Sequence, residues 1–262
     1  MAAVVVEELG RALYPGPACE TLVARYVQNR LGDSGITTAV ADAAPAIAFA
    51  SDDSPMVQIA PETRLIVATG QHDLVVISAS EAESCAVASL DVTRRITRLR
   101  VRDQPVTAVS SSNLGLATEC RAATALLYCA DTLGCVEHVL ERTAEYAGQR
   151  TTFGSPIGKY QAVAHRLVDH AVTAQQMRLL LDVALAAFDQ DTPDLAHQVA
   201  TAETFFYRRS SEIISDCIQL AGAIGFTWEF GHHFYLRRAV QNTSLAGGGG
   251  RPQQRLAQVA QW

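Results

Sequence analysis

The sequence predicts an α+β chain in which a short helical start and a small β region precede a bundle of long helices. Two patterns lead to this prediction. Short β-prone runs separated by Asp, Pro and Gly turns occupy about residues 36 to 109, and apolar residues recur every three or four positions from about residue 116 onward. The predicted boundaries are 1–35 for the helical start, 36–112 for the β region and 113–262 for the bundle.

The first predicted element is a short amphipathic helix that includes Glu7 to Leu13. Pro15, Gly16 and Pro17 follow it directly. Proline cannot donate a backbone hydrogen bond within a helix, and glycine weakens one, so the helix is expected to end there.

Five short runs of apolar and β-branched residues predict the strands of a small sheet. They are bounded by turn-forming residues and are too short to be helices. The runs are Ala46–Ala50, Met56–Ile59, Leu65–Val67, Leu74–Ile77 and Ile96–Val101.

Three long stretches with helical periodicity follow, at about 116–149, 158–190 and 194–222. Each is roughly 45 Å long at 1.5 Å per residue. Short Gly and Pro breaks between them predict antiparallel neighbours in a four-helix bundle, whose fourth member is about 230–262. Four consecutive glycines at 247–250 interrupt that member and predict a loop. The second stretch carries its apolar stripe at Tyr160, Val163, Leu167, Ala171, Ala174, Met177 and Leu181.

Composition narrows the classes of function. The formal net charge is −6, and the 21 Lys and Arg residues are scattered, so the sequence predicts no nucleic-acid partner. Six cysteines form no C-x-x-C pair, and His232-His233 lacks further ligands at metal spacing, which predicts no metal site. The start lacks a basic region before an apolar run, and we expect a cytoplasmic chain with no membrane span.

Two segments carry the strongest functional signal. The first is Tyr146-Ala-Gly-Gln-Arg150-Thr-Thr-Phe153-Gly154-Ser-Pro156-Ile157-Gly158, and the second is Gln219-Leu-Ala-Gly222-Ala-Ile-Gly225-Phe226. A guanidinium, a hydroxyl and glycines suit a pyrophosphate, and a Gln amide can bond adenine or ribose. For the first segment, local chemistry alone favours an ordinary helix end followed by a Gly and Pro turn, until the full string is compared. For the second segment, it also allows a normal helix stop.

The full string Arg-x-x-Phe-Gly-x-Pro-Ile-x-x-x-Gln, with the second segment some sixty residues later, resembles the signature segments of the acyl-CoA dehydrogenase family. The resemblance implies a C-terminal bundle of that family's type, FAD as cofactor, and α,β-desaturation of an acyl-CoA thioester. It also implies that the start is a remnant of the family's N-terminal helical domain and that the β domain is reduced, without the family's Thr-Glu-Pro…Gly-Ser-Asp segment. The residues it assigns to the adenosine and pyrophosphate end of FAD, held mainly by the neighbouring subunit, are Arg150, Thr152, Phe153, Gln219, Gly222 and Ala223.

The resemblance leaves the catalytic base open. Removing a proton next to a thioester needs a carboxylate opposite the flavin. The family's two usual positions for it correspond to Ala246 and Thr124, and neither side chain can abstract a proton. A shifted alignment brings Glu119 near the second position, and Glu229 is a further acid whose family counterpart is commonly structural at a helix start.

Three hypotheses follow. The chain is the base-lacking half of a hetero-oligomer, two plus two, with a catalytic acyl-CoA dehydrogenase subunit, as in actinobacterial enzymes for steroid-type CoA thioesters that it resembles. Alternatively it is a self-sufficient homo-oligomeric enzyme with an unusual acid, or a non-catalytic helical scaffold. The first hypothesis is favoured, with electron-transfer flavoprotein as the expected acceptor.

Overall fold

The computed structural model describes residues 1–31, 46–47, 56–58, 65–69, 74–78, 82–101, 107–109, 114–246 and 252–259. Within these ranges the chain is mostly helical with small β-sheets, as the sequence predicts. The helices are α1 Ala2–Arg11, α2 Ala18–Leu31, α3 Leu114–Gln149, α4 Gln161–Asp189, α5 Leu195–Ala221, α6 His232–Ala246 and α7 Pro252–Val259.

The helix boundaries agree with the periodicity to within a few residues, except in the fourth predicted member. That member is two helices, α6 and α7, and the glycine run 247–250 between them lies outside the described residues. The apolar pattern predicts which face of a helix packs against its neighbours. Four consecutive glycines have too low a helix propensity for a single helix to continue through them.

Two sheets and one hairpin contain the described strands. They are β1 Ala46–Ile47, β2 Met56–Gln58, β3 Leu65–Thr69, β4 Leu74–Ser78, β5 Ala82–Val87, β6 Ile96–Val101, β7 Thr107–Val109, β8 Thr151–Thr152 and β9 Ser155–Pro156. One sheet has the order β1-β3-β4-β7, with β1 parallel to β3, and the other has the antiparallel order β2-β6-β5. The sequence did not predict β5 and β7, whose segments lack a clear apolar run.

Helix α3 lies at the centre of the core and contacts α1, α2, α4, α5 and α6. The N-terminal helix α1 crosses it in direct backbone contact. A Cβ added at Gly134 would lie 1.9 Å from the Glu7 carbonyl oxygen, and one at Gly10 would lie 2.0 Å from that of Asp131. Both glycines are therefore required for this crossing, which makes α1 part of the core.

The predicted stripe on α4 is only partly buried. Ala174, Met177 and Leu181 are buried, but Ala171 is exposed. Ala171 lies about 100° around the helix from the centre of the buried face. The neighbouring position that faces α5 is occupied by His170, whose Nε2 lies 2.6 Å from Asp216 Oδ2.

A buried polar network joins the β5–β6 turn to α3 and α6. Arg94 donates to Asp131 at 2.9 Å, and the Asn242 amide donates to the other oxygen of that carboxylate at 2.7 Å. Arg238, which is fully buried, donates to Asp91 and lies 3.4 Å from Asp131. Burial disfavours the charged form of Arg94, but the combined attraction of Asp131, Tyr128, Cys19 and Glu20 outweighs it, and the pKa of Arg94 is raised. The two arginines thus neutralise the two carboxylates.

Candidate functional site

The first signature segment forms a tight hairpin after α3. Thr151 pairs with Pro156 and Thr152 with Ser155, and Phe153 and Gly154 are the two turn residues. Their φ angles are 50° and 79°, as in a type I′ turn. A positive φ is strained for phenylalanine, and its side chain is 95% exposed. The hairpin therefore holds an aromatic ring outward at an energetic cost.

The second signature segment ends α5 and turns into a 3₁₀ helix, Gly222–Phe226. Gly222 has φ 69°, and a Cβ there would meet open space. A Cβ at Gly225 would lie 2.4 Å from the Ile218 carbonyl oxygen. Gln219 and Ala223 are exposed. One glycine thus gives an open backbone surface and the other permits a close turn beneath it.

The two segments lie at the same end of the helical bundle. The ring of Tyr146, near the end of α3, packs 5.4 Å from that of Phe230, just before α6. His232, at the start of α6, contacts Thr143 of α3 at 3.0 Å. Gly158 approaches the Ala147 backbone closely enough that a Cβ would lie 3.1 Å from its carbonyl oxygen. The folding therefore places the two signature segments at one end of the bundle.

The donors at this end fit the adenosine and pyrophosphate end of FAD. Arg150 follows the last residue of α3, is exposed, and forms no ion pair with any carboxylate in the described part of the chain. Thr152 is half-buried beside it, and a Cβ at Gly154 would meet open space. An unpaired guanidinium beside open backbone is suited to a phosphate group.

Both usual positions of the base lie away from this end. Thr124 is buried in α3 and donates to the Cys120 carbonyl oxygen at 2.9 Å. It lies about 39 Å from Arg150 along the helix, which is longer than an extended FAD molecule. Ala246 ends α6 and lines a cleft with Tyr128 and Glu203, whose volume of about 20 Å³ holds about one water molecule.

Comparison with models of protein families shows which family the chain belongs to. Residues 114–259 match the family model of the acyl-CoA dehydrogenase C-terminal domain, which covers more than half of the chain. The chain belongs to the acyl-CoA dehydrogenase family. Acyl-CoA dehydrogenase IpdE2 of Mycobacterium tuberculosis is 32% identical over 251 residues, which cover 93% of this chain and 72% of that protein. Acyl-CoA dehydrogenase FadE34 of the same organism is 32% identical over 276 residues, but the match spans 38% of its length.

Solved structures of acyl-CoA dehydrogenases and related proteins share the fold. A variant of the Tcur3481–Tcur3483 steroid ACAD superposes with a TM-score of 0.82 at 22% identity, covering 99% of this chain and 80% of that chain. The ChsE4–ChsE5 complex from Mycobacterium tuberculosis gives 0.81 at 21% identity, covering 99% and 79%. PigA with FAD and proline gives 0.82 at 17% identity, covering 99% and 81%.

Glu119 is one candidate base for an acyl-CoA dehydrogenase, but its carboxylate accepts hydrogen bonds from two side chains of α2. Tyr26 donates to its carboxylate at 2.6 Å, and Arg30 does so at 2.8 Å and 3.1 Å. Partial burial would raise the pKa of Glu119, but these hydrogen bonds outweigh it and lower that pKa. A low pKa and occupied oxygens make this carboxylate a poor proton acceptor.

Glu203 is an acid in the acyl-CoA dehydrogenase bundle that sequence patterns did not single out. It is buried in α5, beside the cleft that Ala246 lines, and burial raises its pKa. Arg255 of α7 donates to it at 2.8 Å. A lone Glu in an amphipathic helix gives no sign of burial, so only the packing could find it. By contrast, Glu229 is exposed.

His232 is a buried imidazole beneath the candidate FAD-binding end. The Thr143 hydroxyl donates to the Val139 carbonyl oxygen and therefore accepts from His232 Nε2. Nδ1 has no hydrogen-bond partner in the described part of the chain. Burial, with the nearby His138 and Arg142, lowers the pKa of His232 to about 4. Among the described residues no group of three or more His, Cys, Asp or Glu could hold a metal ion.

We expect acid to destabilise the chain through this imidazole. Its pKa is about 6.5 when unfolded and about 4 when folded, so protons bind the unfolded state first as the pH falls. Its stabilising contribution is fully present above pH 6.5 and is lost progressively down to pH 4, by about 3 kcal/mol. Urea unfolding at pH 7 and pH 4.5 measures it. His232→Gln should remove this part of the pH dependence, whereas the same change at the exposed His197 should not.

Proposed function

We propose that this chain is an FAD-dependent acyl-CoA dehydrogenase subunit that completes the FAD site of a catalytic partner and has no base of its own. The observation that carries this proposal is the separation along α3. The Arg150 end and the Thr124 position are about 39 Å apart, so the two cannot serve one FAD molecule. Residues that bind adenosine and pyrophosphate here would therefore serve a flavin whose ring lies elsewhere in the assembly.

The residues in contact with FAD would be those of the two signature segments. Arg150 and Thr152 would donate to the pyrophosphate, and Phe153 would pack against the cofactor from its outward turn. Gln219 would bond the adenosine, with Gly222 and Ala223 offering backbone at close range. When bound, FAD would supply the acceptor for the hydride that leaves the β carbon of the thioester.

The surroundings of the usual base positions also favour a partner. Thr124 is buried, and the cleft at Ala246 is far smaller than the several hundred Å³ that a drug-sized ligand occupies. The acyl-CoA would therefore bind on the catalytic subunit. We further propose a cytoplasmic assembly with two copies of each subunit. Its substrate would carry a steroid-type acyl chain, and electron-transfer flavoprotein would be its electron acceptor. The likeness to the Tcur3481–Tcur3483 steroid ACAD and to the ChsE4–ChsE5 complex supports it.

Arg150→Ala tests the FAD contact. Loss of a charge-assisted hydrogen bond worth roughly 1.5–3 kcal/mol should weaken FAD binding to the assembled complex about ten- to a hundredfold. Gln219→Ala should have a smaller effect. The chain is co-expressed with an acyl-CoA dehydrogenase subunit encoded next to its gene. Flavin titration of the resulting complex measures the FAD affinity of both variants.

Arg142→Ala is the matched control, because this exposed arginine lies two turns before the end of α3 and pairs only with Glu145, at 3.9 Å, in the described ion pairs. FAD affinity should not change in that variant. If Arg150→Ala and Gln219→Ala bind flavin as the parent does, the signature segments serve packing alone and the chain is a helical scaffold.

A self-sufficient homo-oligomeric enzyme is the second candidate, and Glu203 is the observation that favours it. This buried carboxylate with a raised pKa shares a cleft with Ala246, the usual base position. A yellow flavin spectrum and turnover from the chain purified alone would support this candidate. Loss of that turnover, with flavin retained, in Glu203→Gln would identify the acid.

A further inference from the structure

Helix α7 lies beside the cleft that Ala246 lines. Arg255 of α7 donates to Glu203 of α5 at 2.8 Å, and Glu203 is one of the residues that line this cleft. Cys129 of α3 lines another wall. Burial raises the pKa of the Cys129 thiol, the Glu203 carboxylate raises that pKa further, and Arg255 lowers it. The guanidinium of α7 therefore acts on side chains of two walls of the cleft.

Apolar packing contributes little to the attachment of α7. The helix has eight residues, and a helix of that length is not stable in water by itself. Among the side chains 253–259, Arg255 and Leu256 are half-buried and the other five are exposed. Helix α1 is also short, but it buries Val6 completely. Helix α7 therefore depends on a polar contact far more than α1 does.

The ion pair between Arg255 and Glu203 holds α7 on α5. The side chain of Glu203 is 7% exposed, whereas that of Arg255 is 31% exposed. Closing the cleft takes the carboxylate out of water, which costs free energy, and the attraction of the guanidinium offsets that cost. Burial raises the pKa of Glu203 in spite of Arg255, so the offset is incomplete. The closed position is therefore stabilised by a small difference between two opposing effects.

We propose that α7 is a removable cover over this cleft, held closed by the ion pair between Arg255 and Glu203. In the closed position the cleft has a volume of about 20 Å³, which holds about one water molecule. A larger ligand reaches Glu203 only after α7 has moved. Glu203 is the one charged residue among the described residues that line the cleft. The open cleft would therefore suit a cationic or hydrogen-bond-donating group in the place of the guanidinium.

This cover is an autoinhibitory contact and goes beyond the proposed function. It keeps the surroundings of Ala246 closed in the isolated chain. If Glu203 acts as an acid in a self-sufficient enzyme, α7 has to open first. Neither the cover nor its opening depends on FAD or on a partner subunit.

Thiol labelling of the full chain alone measures the opening. Cys85, the exposed cysteine, is replaced with Ser, and labelling of the five buried cysteines by N-ethylmaleimide is followed by mass spectrometry. In this parent, Cys129 should react faster than Cys135 and Cys217, which are fully buried and do not line the cleft. Low urea should accelerate the labelling of Cys135 and Cys217 but scarcely that of Cys129, because opening α7 exposes little surface.

Arg255→Ala should accelerate the labelling of Cys129 about tenfold, an effect between those of an exposed and a buried ion pair. Glu203→Gln should also accelerate it. The double variant should label no faster than Arg255→Ala, because both changes remove the same interaction. Arg208→Ala is the matched control, since it removes an ion pair with Glu212 on the surface of the same helix α5. Its Cys129 should react at the parent rate.

Three results would overturn the proposal. The first is equal labelling of Cys129 in the parent and in Arg255→Ala. The second is an acceleration in Arg255→Ala that Cys135 and Cys217 share, which would indicate unfolding of the whole bundle. The third is a urea dependence of Cys129 labelling in the parent as steep as that of Cys135. The measurement contains no flavin, so its failure is distinguishable from a failure of the FAD contacts that Arg150→Ala tests.

Discussion

Arg238→Ala should lower the free energy of unfolding by about 3–5 kcal/mol, one of the two largest effects that we expect from changes in this protein. The guanidinium is fully buried and donates to Asp91 and to the Tyr14 carbonyl oxygen while lying 3.4 Å from Asp131. Removing it leaves two buried carboxylates with Arg94 as their remaining partner among the described arginines. Equilibrium urea unfolding at pH 7 measures the loss.

Arg208→Ala is the matched control. This arginine also contacts a carboxylate, that of Glu212 at 3.4 Å, but its side chain is 72% exposed. Exposed ion pairs contribute about 0–1 kcal/mol, so the control should unfold nearly as the parent does. Equal losses in the two variants would show that the network does not hold the β5–β6 turn and α6 onto α3. Arg238→Lys should give an intermediate loss, since an ammonium cannot reproduce the planar set of donors.

The long helices could be predicted from the sequence because their apolar spacing is a local property. The stripe at Ala174, Met177 and Leu181 appears directly as residues three and four apart. The signature segments could be located too, since a Phe-Gly pair and a glycine-rich helix end are local features. Their position at one end of the bundle depends on how the helices alternate in direction, which short connections between helices already imply.

Features that depend on distant partners could not be predicted. Gly134 gives no local sign that the backbone of Glu7 will cross it within van der Waals contact. The network around Asp131 joins residues more than a hundred positions apart, and in the sequence its members look like ordinary surface charges. The sequence cannot decide whether Glu119 is a base for the same reason, because the α2 side chains that bind its carboxylate are about ninety residues away.

The other large effect concerns the base, and it separates a helper subunit from an enzyme. Ala246 and Thr124 cannot accept the α proton, so we expect the carboxylate that accepts it to come from the catalytic partner. Replacing that one partner carboxylate should lower turnover by two to four orders of magnitude while FAD stays bound. Rapid-mixing flavin bleaching of the assembled complex with its acyl-CoA measures the chemical step.

Glu119→Gln and Glu229→Gln in this chain are the matched controls, and bleaching should stay within about threefold of the parent, an effect below 1 kcal/mol. The reason differs between the two. Glu119 is held by Arg30 and Tyr26 with a lowered pKa, whereas the Glu229 side chain is exposed to solvent. If either variant stops bleaching without releasing FAD, this chain carries the base, and the partner's role is to bind the cofactor instead.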